Sequence, residues 1–323
     1  MAKSRALEET LAMLHRLREQ PTSATTLATL RQVLAGKSSH AAAKAAQIAG
    51  EFEIATLTPD LVAAFARFMV NPVKGDPTCA AKVAIADALY RIGADAEAVF
   101  LPGIHHVQLE PVYGGKADTA GPLRGVCALG LVRMNYADTL TELADLLADP
   151  EGAVRIAAAR ALAYSENEQG APLLRLKVLV GDEQPEVVAE CLTALLQLAP
   201  AASLPFVARR LDAPDAPTCE MAAMALGTTR RREALDILRQ WFERLRDAER
   251  RRTALLAIAM LKHDEAINFL LAVTAEAIGP TARDAIAALG MYRHDGALRQ
   301  RVIDTATRRD DVDLRAAVAE AFD

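Results

Sequence analysis

Apolar residues recur along this chain on two scales. Over three to four residues they mark helices. In "ADTLTELADLLA" the leucines Leu140, Leu143, Leu146 and Leu147 fall on one helical stripe, and "AVRIAAARALA" repeats the same spacing after a break at "DPEG". Over longer distances the helical pairs themselves repeat. With Leu162 as an anchor, equivalent apolar residues stand at Leu195, Leu226, Ile258, Leu289 and Phe322, and upstream at Leu131, Leu89 and Ile48. The spacings from Leu89 onward are 42, 31, 33, 31, 32, 31 and 33 residues. A self-similar unit of this length is one helix-turn-helix that cannot bury its apolar face alone and must stack on its neighbours.

Polar positions hold the same register. Thirteen residues before the anchor stands an aspartate at Asp76, Asp118, Asp149 and Asp182. Seven before it stands a basic residue at Lys82, Arg124, Arg155, Arg251 and Arg315. Asp149, in the break at "DPEG", is placed to cap the second helix of its unit. Three consecutive units carry both, as Asp76/Lys82, Asp118/Arg124 and Asp149/Arg155. The basic residue is replaced at Val188, Cys219 and Ala282, so the charged series is interrupted there.

The pattern predicts an all-α superhelix, an α-solenoid of about nine helical pairs over residues 22–323. A capping helix at residues 1–21 precedes it, with Leu7, Leu11, Leu14 and Leu17 on one stripe. The last helix, "DLRAAVAEAFD", closes the other end with charges on one side. No linker divides the repeats, so one continuous stack is expected. The "D-x5-R" spacing followed by "AA-x-AL", as in Asp149, Arg155 and Ala158–Leu162, resembles the HEAT-repeat family. It is most similar to short bacterial HEAT-like repeats, including those of phycobilisome-lyase-type proteins. That resemblance implies an aspartate–arginine ladder through Asp76, Lys82, Asp118, Arg124, Asp149, Arg155 and Asp182. It also implies second helices lining a concave surface.

Two repeats break the period. The step to Leu131 is about ten residues too long, and since Asp118 keeps its place, the excess lies between the paired helices. Pro102 suits the start of a first helix that "PGIHHVQL" continues and Pro111 stops. The remaining loop is "EPVYGGKA", residues 110–117. The preceding repeat is long at "NPVKG", residues 71–75, in the equivalent turn. Two long turns in adjacent repeats should lie side by side, and clustered insertions mark binding surfaces. Lys74, His105, His106, Glu110, Tyr113 and Lys116 are therefore the candidate partner-binding residues, against the plain alternative of a solvated pair of turns.

Composition narrows the chemistry. Hydrophobic residues make up 52% of the chain and aromatics 4%, which suits close-packed helix layers of small residues rather than strands. The net charge of −5 gives no global attraction to nucleic acid or anionic membrane. Cys79, Cys127, Cys191 and Cys219 form no CxxC pair and read as buried packing residues. No signal peptide or membrane span is evident, which points to a cytoplasmic protein. Adjacent histidines on a helix face different ways, so His105, His106 and Glu110 do not make a metal site. The repeated His-Glu dipeptides by which HEAT-like deoxyhypusine hydroxylases hold iron are missing. No phosphate-binding glycine motif occurs, and no cofactor is expected.

One segment runs against the acidic whole. Residues 229–252 hold nine arginines against five acids. Arg230, Arg231, Arg232, Arg250, Arg251 and Arg252 are candidates for a nucleic-acid contact, as the resemblance to HEAT-like alkylpurine DNA glycosylases implies. The only tryptophan, Trp241, falls on a first helix rather than in a groove of second helices. Pairing of these arginines with Glu243, Asp247 and Glu249 on a solvated face is the preferred alternative. The expected function is thus a non-enzymatic scaffold that binds another protein through the long turns of repeats two and three, the concave face, or both. A nucleic-acid-binding protein and a bilin lyase-type accessory protein are the alternatives.

Overall fold

The computed structural model describes residues 2–322, with side chains from residue 8 onward. Leu7 of the amino-terminal stripe therefore lies outside the described side chains. The chain forms two compact units, Met1–Asn167 and Glu168–Asp323. Both are all-α stacks of helical pairs, of the α-solenoid class.

In the first unit, α1 (Ala2–Leu17) packs on the second helix of the first pair, with Leu14 fully buried. Four pairs follow. The first is α2 (Ala24–Ala35) with α3 (Ser39–Glu51). The second is α4 (Thr58–Val70) with α6 (Ala80–Ile92), separated by the one-turn α5 (Pro72–Gly75). The third is α7 (Glu97–Ile104) with α8 (Gly121–Arg133), and the fourth α9 (Thr139–Leu146) with α10 (Gly152–Tyr164).

The second unit holds five pairs. They are α11 (Ala171–Val180) with α12 (Pro185–Leu198), α13 (Pro200–Ala208) with α14 (Ala216–Thr228), and α15 (Arg232–Arg244) with α16 (Ala248–Met260). The last two are α17 (Asp264–Glu276) with α18 (Pro280–Leu289), and α19 (Gly296–Arg308) with α20 (Val312–Phe322).

Every apolar anchor lies on the second helix of its pair and is buried, from Ile48 on α3 to Phe322 on α20. Within each unit the second helices pack on one another in order: α3 on α6, α6 on α8, α8 on α10, then α12, α14, α16, α18 and α20 in succession. Alanines such as Ala45, Ala88, Ala128 and Ala158 are buried at these contacts and let the helices approach closely. At Gly50 the approach is closer still, since a Cβ there would stand 2.8 Å from the Cα of Ala88.

The expected cap Asp149 is not the cap of α10: Glu151 holds that position, and Asp149 accepts from the Glu151 N–H at 2.8 Å instead, while side-chain caps start other helices. Ser23 and Ser38 cap α2 and α3, and Asp215, Asp247 and Asp295 cap α14, α16 and α19 by accepting backbone N–H groups.

The third repeat departs from the expected layout. Its first helix ends at Ile104, so His105 is the cap residue and "HHVQL" leaves the helix instead of completing it. Pro102 lies inside α7 near its end rather than in its first turn. Residues 110–117 are not an irregular loop. They belong to an antiparallel hairpin of β1 (Leu109–Val112) and β2 (Gly115–Asp118), the one sheet among the described residues. The register pairs Leu109 with Asp118, Glu110 with Ala117, Pro111 with Lys116 and Val112 with Gly115. That leaves Tyr113 and Gly114 as a two-residue turn, and Gly114 takes φ 87°, a left-handed value that glycine adopts without strain.

Pro111 is compatible with the strand because of the hydrogen-bond phase. Thr119 N–H donates to the Gln108 carbonyl at 3.0 Å, so residues 108 and 119 are a bonded pair. Alternation then makes 110/117 and 112/115 bonded pairs, while Leu109, Pro111, Lys116 and Asp118 point their backbone groups outward. The N–H that proline lacks belongs to the outer edge and costs the hairpin no bond.

Candidate functional site

The hairpin rises from the turn between α7 and α8 and is fastened at its base by a buried polar network. Gln108, almost fully buried, donates from Nε2 to the Asp76 carbonyl at 2.9 Å and to Glu110 Oε1 at 2.6 Å. The same Glu110 oxygen accepts from Thr119 Oγ1 at 2.8 Å and from Thr78 N–H at 2.7 Å. Glu110 therefore ties the hairpin to the long turn of the preceding repeat. The two long turns do meet side by side. Thr78 and Cys79 both hold positive φ, 61° and 58°, a costly backbone for non-glycine residues that surrounding contacts must maintain.

Beneath the hairpin run the charged rungs. Asp76 accepts from the N–H groups of Ala81 and Lys82, at 2.9 and 3.0 Å, and pairs with Lys82 Nζ at 2.9 Å. Both side chains are wholly buried. Asp118 accepts from the N–H groups of Gln108 and Ala120, both at 2.9 Å, and from Arg124 Nη1 at 2.6 Å. Arg124 also reaches Asp149 of the next repeat, from Nε at 2.8 Å and Nη2 at 3.0 Å, and donates to the His106 carbonyl at 2.9 Å. One guanidinium thus joins two repeats and the chain leading into the hairpin. Arg155 donates to the carbonyls of Asp149 and Pro150, at 2.7 and 2.9 Å, and Asp182 pairs with Lys177 at 2.8 Å.

Electrostatics follow from these partners. Hydrogen bonding from Gln108 holds the Glu110 carboxyl below the usual glutamate range against its own desolvation, with Thr119 and Thr78 adding to the effect. Burial pushes the Asp118 carboxyl up, but the two backbone N–H groups and Arg124 outweigh it and leave the pKa lowered. Burial also lowers His106, against the hydrogen bond to Gln108.

The six candidate residues divide into three groups. Glu110 and His106 face inward; His106 Nε2 lies 3.2 Å from Gln108 Oε1. His105 points elsewhere, its Nε2 2.9 Å from Glu142 of α9. Tyr113 is completely exposed at the turn, and Lys116 on β2 and Lys74 on α5 are exposed as well. Sequence reasoning missed Gln108 and Thr119, which hold the base. It also missed Leu109 and Val112, which stand more than half exposed beside Tyr113 and Lys116. The period-two alternation in "VQLEP", apolar outward and polar inward, was the available signal.

The rest of the molecule offers less. A shallow groove of about 360 Å³ lies between α8 and α10, lined by Gly125, Val126, Leu129, Ala153 and Ala157 on the second-helix face. In the basic segment, Arg231 pairs with Glu233, Arg232 with Glu265, and Arg252 with Asp284 and Glu249. Arg251 lies over the Phe242 ring, and Trp241 is buried in α15. Asp247 serves as the cap of α16 rather than as an ion-pair partner. All four cysteines are buried, and burial pushes the thiols of Cys79 and Cys191 up to about 12. Cys127 and Cys219 shift upward for the same reason, which makes all four poor nucleophiles. Among the described residues no three metal-ligating side chains converge, and no helix is long and apolar enough to cross a membrane.

No curated protein matches the chain. Solved structures similar to it include the following two. One is the complex of CpcE and CpcF of phycocyanin lyase from Nostoc sp. PCC7120, at 18% identity over 91% of this chain and 93% of that one, with a TM-score of 0.34. The other is an engineered protein from the Northeast Structural Genomics Consortium, at 16% identity over 97% and 93%, with a TM-score of 0.38. The family model for HEAT repeats matches residues 140–224 and 174–259, so that part of the chain is similar to HEAT repeats.

Proposed function

We propose that this protein is a non-enzymatic scaffold that captures another protein through the hairpin edge of its second and third repeats. One observation carries the reading. A hairpin with Leu109, Val112, Tyr113 and Lys116 exposed is pinned at its base by Gln108, Glu110 and the Arg124 rung. Exposed apolar and aromatic side chains on a fixed projection are what a recognition surface requires. Such a surface binds without a large ordering cost, because the backbone beneath it is already fixed. His106 and Glu110 belong to the support and not to the contact surface. The exposed second-helix face at the groove between α8 and α10 is the other surface open to a partner.

The test is to replace Pro111–Lys116 by Gly-Gly. Glu110 and Ala117 are cross-strand partners, so two glycines close the turn while Glu110 keeps its three hydrogen bonds. Partner capture from cell extract should disappear and the thermal midpoint should stay within a degree or two, since the removed residues are all exposed. Capture that survives the replacement excludes the hairpin edge.

A further inference from the structure

We infer that the outer edge of β2 takes up an extended, acidic peptide segment of its partner as a third strand. This rests on the hairpin being the binding edge, and it specifies how that edge binds. The two sides of the hairpin are not equivalent. On β1, Pro111 removes an outward N–H, and the strand base is flanked by the Asp76–Thr78 turn through Gln108 and Glu110. A proline on an edge strand blunts it against further pairing. On β2 every residue keeps its N–H, and none is a proline. The hydrogen-bond phase turns the N–H and C=O of Lys116 outward, where neither has a partner among the described residues. Residues 111–117 are all exposed, and nothing lies within 4 Å of where side chains at Gly114 and Gly115 would be.

Strand addition satisfies those groups through two backbone hydrogen bonds at Lys116. It places the incoming residue opposite Lys116 on the same face as the Lys116 side chain. The charge at that point is unopposed. Lys116 and Lys74 carry no ion pair among the described residues, whereas the nearby carboxylates of Asp76, Glu110 and Asp118 are each committed to several donors. A carboxylate in the incoming strand is therefore complementary to Lys116. On the opposite face Gly115 and Ala117 present almost no side chain, so the flanking residues of the peptide can be large and apolar, packing beside Val112 and Tyr113.

The experiment is selection of linear octapeptides from a random display library against the intact protein, with binders rejected if they also bind the Gly-Gly replacement. Enriched sequences should place an acidic residue among alternating apolar ones. In a synthetic version, N-methylation of one alternate set of backbone amides should abolish binding, while methylation of the other set is tolerated. Lys116→Pro, which removes one outward N–H and no internal hairpin bond, should weaken binding about tenfold. Lys116→Ala should weaken it less and remove its salt dependence. Hairpin-dependent binders with no alternation in the methylation scan would overturn strand addition and leave the hairpin edge standing. Binders that are helical, or binding by a nucleic acid in place of peptide, would also overturn it. A library that yields no hairpin-dependent peptide would sink both readings.

Discussion

The residue seven before the anchor is charged in repeats two to four of the first unit and uncharged in three of the five repeats of the second, yet it faces the same structural demand. It sits on the second helix where the turn between paired helices leaves a backbone carbonyl six residues upstream. Arg155 donates to the Asp149 carbonyl at 2.7 Å, and Arg251 points toward that of Leu245 at 3.4 Å. Cys219 directs its thiol to the Ala213 carbonyl at 3.2 Å. Lys82 and Arg124 reach instead the side chains of Asp76 and Asp118, six residues back in each case. Val188 and Ala282 are buried without a polar atom to offer. What distinguishes the charged rungs at Lys82 and Arg124 is the extra chain above them. There the turns are long, carry polar backbone groups into buried positions and need several donors and acceptors at once. Charge at this position is a device for anchoring an insertion as much as for joining repeats.

That contrast can be broken most sharply at Arg124. Arg124→Met leaves Asp118 and Asp149, both largely buried, without their shared cation, and should cost about 3–5 kcal/mol in urea denaturation. Lys82→Met strands the fully buried Asp76 and should cost about the same. In the other unit Val188→Ala removes only methyl groups and should cost about 2 kcal/mol. Equal losses at all three sites would erase the distinction between charged and apolar rungs.

Acid titration sharpens the same comparison with a smaller effect. Glu110 has a lowered folded pKa, so its contribution is complete above the ordinary glutamate value of about 4.3 and is lost as pH falls through the folded value. His106 is also lowered, so its contribution is present above about 6.5 and declines as pH falls through its folded value. Thermal midpoints measured from pH 7 downward should therefore fall. His106→Asn should flatten the upper part of the curve and Glu110→Gln the lower part. Curves unchanged by either substitution would remove both groups from the support of the hairpin. The smallest stability change belongs to Tyr113→Ala, which should leave the midpoint unaltered because the ring is fully exposed.

Much of this was legible in the chain. The anchors and the aspartate–basic spacing predicted nine helical pairs and put Asp118, Arg124 and Asp149 within one repeat of each other. The hairpin was not. Its strands are four residues each, Pro111 reads as a breaker, and the turn is Tyr-Gly rather than a pair with strong hairpin preference. Pro111 fits only because of which edge its missing N–H faces, a property of pairing phase that composition does not carry. Glu110 and His106 were placed on the binding surface because they are polar residues in a long turn. Gln108, which organises both, sits between apolar neighbours in "VQL" and gave little local sign of its role. Arg232 and Arg252 found partners at Glu265 and Asp284 on other helices, beyond the reach of helical spacing rules.

The division of the hairpin into an inner support and an outer contact surface is most directly tested by measuring Glu110→Ala and Tyr113→Ala for both thermal midpoint and partner capture. The expected result is a crossed pattern. Tyr113→Ala loses capture at unchanged stability, and Glu110→Ala lowers the midpoint while the folded fraction still captures the partner. Tyr113→Ala with full capture, or Glu110→Ala with unchanged stability, would contradict that division.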